Sequence, residues 1–366
     1  MSEWTEYIRG LIESGSAQVW ARNGSRVGAF AGEVVEYDAL AEGAALIDRT
    51  NRALLEIRGA DRADWLHNLT TNTVKNMSTG DGCYSFVINM KGRILFDIEV
   101  SMRADAIWIS LEDRALAPAC AHFNKYLVVE DVVISDRTSE FVRLELAGPQ
   151  AKEMLADSGM GQAASLPAYG MAEFAWGDMT VVAMRHDFCG SFGLELLVPA
   201  DQAVKVWESL SESSRPRRAI PVGDQALEVR RIENGCPVYP HEINEEYLPA
   251  ETRQTEHAVN YSKGCYLGQE VVERMRSRDV VARQLVGLEV EGDSLPQVDV
   301  HLKDASGEVV GKMTSACRSI ALGRVIGLGY VKTALSDAGT HLHIDGSDSA
   351  VDVTVADLPF VQRGEH

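Results

Sequence analysis

The stretch Tyr261-Ser-Lys-Gly-Cys-Tyr-Leu-Gly-Gln-Glu270, continued by Val-Val-Glu-Arg-Met-Arg-Ser-Arg278, places Cys265 between two glycines and close to a lysine. The segment after it has the spacing of a helix bearing Arg274, Arg276 and Arg278. Nearby cations and a helix N-terminus both favour the thiolate, the form that attacks electrophiles or binds metal. Gly264 and Gly268 permit close backbone approach or positive φ. Gln269 and Glu270 are placed to hydrogen-bond the loop and hold the thiol. Two plainer readings compete: Cys265 as a small buried hydrophobe, and the arginines as partners of Glu270 and Glu273 on a solvated helix.

Outward from this stretch the chain has ordinary globular proportions, with 45% hydrophobic and 24% charged residues. Its 366 residues exceed one compact core of typical size, so two or three domains are expected. A net charge of -19 argues against general nucleic-acid affinity, which is driven by clustered Lys and Arg. Two local basic patches remain, Arg215-Pro-Arg-Arg218 and the stretch from Arg274 to Arg283; the first reads as a solvated loop. No apolar run approaches the roughly 18 residues of a membrane span, and the first residues lack signal-peptide blocks, so a cytoplasmic protein is expected. The six cysteines at 83, 120, 189, 236, 265 and 317 form no Cys-x-x-Cys pair and no zinc spacing. They read as reduced thiols, and no metal site is expected from them.

Along the chain, strands and helices alternate without a strict βαβ period. Residues 53–59 read as a strand, 61–72 as a helix, and 83–89 with 94–102 as a hairpin turning at Met-Lys-Gly-Arg. A strand at 107–111 and a helix at 113–126 complete an α+β module built on antiparallel strands. A looser version follows: strand 141–147, helix 150–157, strands 179–185 and 194–198, and helix 201–210. The helix at 222–234 stops at Gly235-Cys-Pro. From residue 285 short apolar strands separated by Gly, Asp and Ser read as a small all-β barrel. Gly327 and Gly329 fall inside such a strand and mark a bulge or barrel corner.

No phosphate-binding P-loop, dinucleotide fingerprint or Gly-x-Ser-x-Gly elbow is present, which lowers nucleotide-dependent and triad chemistry. What remains is a set of single carboxylates on strands. In Ile94-Leu-Phe-Asp-Ile-Glu-Val100 the residues 94, 96, 98 and 100 form an apolar face and leave Leu95, Asp97 and Glu99 on the other. From pattern alone Asp97 is a solvent-facing carboxylate or a site residue, and Glu195 in Phe192-Gly-Leu-Glu-Leu-Leu-Val198 shares that ambiguity.

Lys263-Gly-Cys-Tyr-Leu-Gly-Gln-Glu270 with Arg274 and Arg278 resembles the signature of YgfZ-type folate-binding proteins, relatives of an iron-sulfur maturation factor. From about Gly43 onward the chain also resembles the wider family of the glycine cleavage T-protein, an aminomethyltransferase. Cys83-Tyr-Ser-Phe-Val, Gly92-Arg-Ile-Leu-Phe-Asp97, Leu146-Ala-Gly-Pro-Gln150, Gly193-Leu-Glu195 and Arg231-Ile-Glu-Asn-Gly fall in the family's order. The cysteine motif is highly specific, and the others persuade together.

The resemblance implies an α+β fold of two domains around a central cavity that binds tetrahydrofolate, closed by a C-terminal β-barrel. It divides the chain into residues 1–284, with two interleaved subdomains of which the inner is about 53–137, and 285–366. It implies that Asp97 faces the reactive N5 side of folate, that Glu195 hydrogen-bonds the pterin, that Tyr84 lines the pocket, and that Arg231 and Lys263 are among the folate-binding residues. Lys263 would then tune the thiol, and Arg274 and Arg278 would receive the folate glutamate tail. Carboxylates suit this work, since they accept paired N–H bonds and stabilise positive charge developing during one-carbon transfer. The chain departs from the family at Leu227, where an arginine is expected, and at Phe188 and Cys236, where tyrosines are. Each change removes a polar handle.

Two functions follow. One is a tetrahydrofolate-binding accessory protein in iron-sulfur cluster assembly, working through Cys265 with client or assembly proteins as partners. One thiol cannot hold a [4Fe-4S] cluster alone, so that role is shared. The other is a folate-dependent aminomethyl or other one-carbon transferase in which Asp97 does the chemistry. Whether the chain is an enzyme depends on which holds.

Overall fold

The computed structural model of the chain describes residues 2–20, 26–187, 192–212, 217–278, 281–345 and 350–361. Phe188, Cys189 and Arg215 lie outside the described residues, as does the side chain of Arg278. The fold is α+β and divides into two compact units. The first holds residues 1–67, 73–84 and 98–227; the second holds 68–72, 85–97 and 228–366.

The first unit is organised by a six-stranded sheet in the order Met171–Trp176, Met179–Arg185, Gly193–Pro199, Phe141–Ala147, Ala45–Asp48, Ile220–Val222. Its strands alternate strictly. Val142, Leu144 and Leu146, with Leu194, Leu196 and Val198, enter one core together with Trp4, Met154 and Trp207. Those partners come from helices Glu3–Glu13, Ala151–Asp157 and Ala203–Ser211, which therefore cover that face. The opposite face meets a second sheet, in the order Gly82–Ile88, Ile94–Met102, Ile107–Glu112, Arg52–Arg58, Val133–Asp136. Leu54 and Trp108 of that sheet pack with Met171, Val182, Met184 and Leu197 of the first. Arg143, Glu145 and Glu195 fall on this inter-sheet face by the same period of two.

Helix Glu33–Ala41 carries an internal anchor. Glu36 has no exposed surface; its Oε1 accepts from the backbone N–H of Phe30 (2.6 Å), Ala31 (2.7 Å) and Gly32 (3.1 Å), and its Oε2 from Gly223 (2.7 Å). One carboxylate thus satisfies four backbone donors.

The second unit contains a closed six-stranded barrel, Arg283–Val290, Val325–Lys332, Val309–Arg318, His301–Lys303, His341–Asp345 and Ala350–Ala356 in order around the wall. Val286, Leu288, Leu302, Met313, Leu342 and Val353 fill it. A register shift between Met313 and Ser315 lies opposite Gly329 and Leu328, next to Gly327, so a bulge falls where the two glycines mark one. Helix Asp224–Glu233 leads into this unit and stops at Gly235, which has φ +69°.

The helix predicted at 61–72 ends at Leu69. Its last residues leave the helix because Thr71 pairs with Phe86 (N to O, 3.0 Å) and the carbonyls of Thr70 and Asn72 accept from the Lys263 ammonium (2.5 and 2.9 Å). No helix among the described residues is long and apolar enough to cross a membrane.

Candidate functional site

In the second unit the cysteine motif is a packed loop followed by helix Gln269–Arg278. Lys263, 8% exposed, holds the carbonyls of Thr70 and Asn72 and lies 4.9 Å from the Tyr266 ring centroid. Its charge ties segment 68–72 to the loop. The N–H of Leu267 donates to the carbonyl of Asn68 (3.0 Å), a second tie to the same segment. Gly268 has φ +81°, and a Cβ there would stand 2.5 Å from the Asn89 carbonyl. Gly92 has φ +74°, and its Cβ would stand 2.7 Å from Val271 Cγ1. Both positions therefore require glycine, and the turn of the Asp97 hairpin packs on the cysteine loop. The two motifs quoted from the sequence meet there.

Cys265 itself is exposed, and the space around Gly264 is open. Arg274 is exposed, and the Arg276 guanidinium stacks 4.4 Å from the Tyr261 ring centroid with Glu273 at 3.9 Å. Asp97 is half-buried on Ile94–Met102, close enough to Tyr239 that its charge, after burial, raises the phenol's pKa. Tyr239 is thus kept as a neutral hydroxyl.

Arg231 is almost fully enclosed. Nε and Nη2 grip Glu228 at 2.6 Å each, Nη1 donates to Glu242 (3.1 Å) and the Cys236 carbonyl (3.2 Å), and Nη2 donates to Ser315 (2.6 Å). Glu242 in turn accepts from Thr314 (2.7 Å) and Ser315 (2.6 Å). Every N–H of the guanidinium is engaged, and it fastens the helix to the barrel.

In the first unit, Tyr84 stacks on Tyr169 with ring centroids 6.4 Å apart. Glu195 has no exposed surface and belongs to a buried ionic cluster between the two sheets. Arg143 donates Nη2 to Glu195 Oε2 and to Ser110 (2.8 Å), and Nη1 to the Ala53 carbonyl (3.1 Å). Arg52 binds Glu99 (3.0 Å) and Ser110 (3.0 Å). Arg49 Nε lies 3.3 Å from Glu145, and His186 Nδ1 lies 2.9 Å from Glu99. Glu195 Oε1 makes no hydrogen bond; the nearest cations, Arg52 and Arg49, stand at 3.7 and 3.8 Å.

Burial opposes every charge here, and the pairing decides which survive. Burial would raise Glu195 and Glu99, yet Arg143 with Arg52, and Arg52 with His186, hold both below the usual carboxylate range. Burial wins at Glu145, whose pKa is raised despite Arg49. His186 is pushed up to about 9, because Glu99 outweighs the desolvation that would lower it.

Stability against pH follows from these signs. The contribution of His186 is complete below its ordinary 6.5 and is lost as pH rises through about 9. That of Glu99 is present above the ordinary 4.5 and is lost as pH falls. Thermal unfolding is expected to show a plateau from about pH 5 to 7, with an alkaline decline on the order of 2–3 kcal/mol. His186→Gln should flatten the alkaline limb; an unchanged limb would remove the ion pair from the account.

The sequence reading singled out Glu195 but not Arg49, Arg52, Glu99, Arg143, Glu145 or His186. For Arg143 and Glu145 a signal was available as charges alternating with apolar residues in Phe141–Ala147, although the same alternation describes a strand facing water.

Family models supply the deciding observation. The GCVT N-terminal domain matches residues 15–263, and the glycine cleavage T-protein C-terminal barrel domain matches residues 283–362. The chain belongs to the glycine cleavage T-protein family. Among T-protein relatives, the aminomethyltransferase of Chloroherpeton thalassium is 26% identical over 336 residues, covering 91% of each chain. That of Rubrobacter xylanophilus is 28% identical over 334 residues, covering 91% of this chain and 87% of the other. A putative chloroplastic transferase of Arabidopsis thaliana is 26% identical over 327 residues, covering 89% of this chain and 73% of the other. The crystal structure of the glycine cleavage system aminomethyltransferase T from Bartonella henselae superposes with a TM-score of 0.85 at 22% identity, over 97% of both chains. The T-protein fold is therefore shared from end to end.

Proposed function

We propose that this chain is a tetrahydrofolate-dependent one-carbon transferase of the aminomethyltransferase kind, with folate as its substrate. The observation that carries the reading is Asp97, a half-buried carboxylate beside the neutral Tyr239 phenol, at the position the T-protein motif gives to the N5 side of folate. Relatives named aminomethyltransferase across nine-tenths of the chain support it. In this role Asp97 stabilises the positive charge that a migrating one-carbon unit creates, and Tyr239 holds a hydroxyl proton available beside it.

Glu195 fits the pterin chemically. Its Oε1 is an ionised acceptor without a hydrogen bond, and the N–H edge of a pterin supplies what it lacks. With no exposed surface, it is reached only as neighbouring side chains move aside. Tyr84, on its stacked partner Tyr169, offers an aromatic wall.

Titration of tetrahydrofolate against tryptophan fluorescence is expected to give saturable binding, unchanged within a few-fold in Asp97→Asn. Glu195→Gln should weaken it by about tenfold, the loss of one charge-assisted bond. Absence of saturable binding to the native chain would sink the folate reading.

A second reading rests on Cys265, exposed on a loop that is otherwise tightly packed. An iron-sulfur accessory factor of the YgfZ kind would use that thiol on a partner's cluster. In cells lacking the native gene, Cys265→Ser would then fail to restore [4Fe-4S] enzyme activity while Asp97→Asn restored it. The transferase reading expects Cys265→Ser to behave as the parent in that assay.

A further inference from the structure

Glu145 has no exposed surface, and neither of its carboxylate oxygens has a hydrogen-bond partner among the described residues. A buried acceptor left open lowers stability, which marks a residue kept for another reason. Glu145 is paired in register with Glu195 on the adjacent antiparallel strand, and the period of two puts both side chains on the inter-sheet face. A Cβ on Gly193 would stand 2.6 Å from Glu145 Oε1, so the carboxylate lies close over the neighbouring strand. Burial, joined by the like charges of Glu195 and Glu99, raises its pKa against the attraction of Arg49 and His186. The fold gains no hydrogen bond from it in return.

What Glu145 does hold is a cation. Arg49 Nε lies 3.3 Å from Glu145 Oε2 and 3.8 Å from Glu195 Oε1. Arg52 stands off the same Oε1 at 3.7 Å, its Nε donating instead to Ser110 (3.0 Å) and its Nη2 to Glu99 (3.0 Å). Against burial, Arg143 and Arg52 keep Glu195 ionised, yet its Oε1 accepts from neither Arg52 nor Arg49. Each of these two cations is held by another acceptor, Arg52 by Ser110 and Glu99, and Arg49 by Glu145.

We infer that Glu145 is a positioning residue: it retains Arg49 and so keeps Glu195 Oε1 open to accept an N–H of the pterin ring of tetrahydrofolate. The inference rests on the folate reading above. Without the Glu145 carboxylate, a shift of about 0.8 Å brings Arg49 Nε from 3.8 Å to the usual N–H···O distance from Oε1. The charge-assisted bond formed there competes with the pterin N–H for that oxygen.

Tetrahydrofolate is titrated against the tryptophan fluorescence of the full chain and its variants, and urea unfolding without folate is measured beside it. Glu145→Leu is expected to weaken binding by about tenfold, the value of one charge-assisted bond, while the urea midpoint stays at or above that of the parent. Adding Arg49→Met to Glu145→Leu should return the affinity to within about threefold of the parent, since no guanidinium then reaches Oε1 from that side. A purely structural role for Glu145 predicts neither the retained midpoint nor the rescue. Parent-like affinity in Glu145→Leu, a weakening that Arg49→Met does not rescue, or a midpoint that falls along with the affinity would each overturn the inference and leave the folate reading standing. Absence of saturable binding to the native chain removes both. If Glu145→Leu does not fold, Glu145→Gln takes its place as the same shape with a weaker acceptor; a loss of about threefold is then expected, and parent-like affinity overturns the inference.

Discussion

Replacing Arg143 by methionine is expected to cost the protein about 3–5 kcal/mol of stability, the loss that follows when one partner of a buried ion pair is removed. Arg143 hydrogen-bonds the Glu195 carboxylate directly, and it also holds Ser110 and the Ala53 carbonyl, linking the two sheets. Methionine keeps the apolar stem and leaves Glu195 charged and fully buried. The double variant Arg143→Met, Glu195→Leu should recover a large part of the loss, because replacing both charges by apolar groups is close to neutral. Urea unfolding measures both. A loss below about 1 kcal/mol for the single variant, the size of a surface pair, would mean that the cluster is solvated.

Glu36→Ala is expected to be comparably severe, about 4 kcal/mol, through a different cause. Four backbone N–H groups lose their acceptor at once, each worth about 1–3 kcal/mol when left bare, and water entering the vacated space restores part of this. Glu36→Gln keeps one carbonyl oxygen but presents N–H to donors on its other side, so roughly half the loss is expected. Equal stability of Glu36→Gln and the parent would show that the charge is irrelevant to the anchor. The same measurement, urea unfolding with an unchanged m-value, tests it.

Much of the fold was legible because it follows short periods. The strand Ile94–Met102, the hairpin it belongs to and most of the barrel strands carry apolar alternation bounded by turn residues and survive in the structure, while the three-residue barrel strand His301–Lys303 was not legible. Helix Glu33–Ala41 was not legible: its one buried acid, Glu36, sits among apolar positions and spoils the amphipathic stripe. Strands Ala45–Asp48 and Ile220–Val222 are short and pair with each other across a long sequence gap, which no local window reveals. The helix at 61–72 was read too long because its stop comes from Lys263, nearly two hundred residues away.

The site divides in the same way. Cys265, Asp97 and Glu195 could be named from motifs, but their surroundings could not. Alternation on Gly193–Pro199 says that Glu195 points opposite Leu194 and Leu196, and only the second sheet turns that direction from solvent into a charged interior. Likewise Lys263 reads as a neighbour of the thiol in sequence, while in the fold its ammonium faces two backbone carbonyls. Side-chain direction beyond the strand period depends on packing that the linear chain does not carry.

One-carbon transfer is measured directly by one assay. Purified protein incubated with tetrahydrofolate and an aminomethylated lipoyl carrier is expected to form methylene-tetrahydrofolate well above the protein-free rate. Asp97→Asn should lower that rate by about 100- to 1,000-fold, the usual cost of removing one electrostatic stabiliser, while Cys265→Ser leaves it unchanged. No methylene-tetrahydrofolate above background from the native chain, or full activity in Asp97→Asn, would contradict the account.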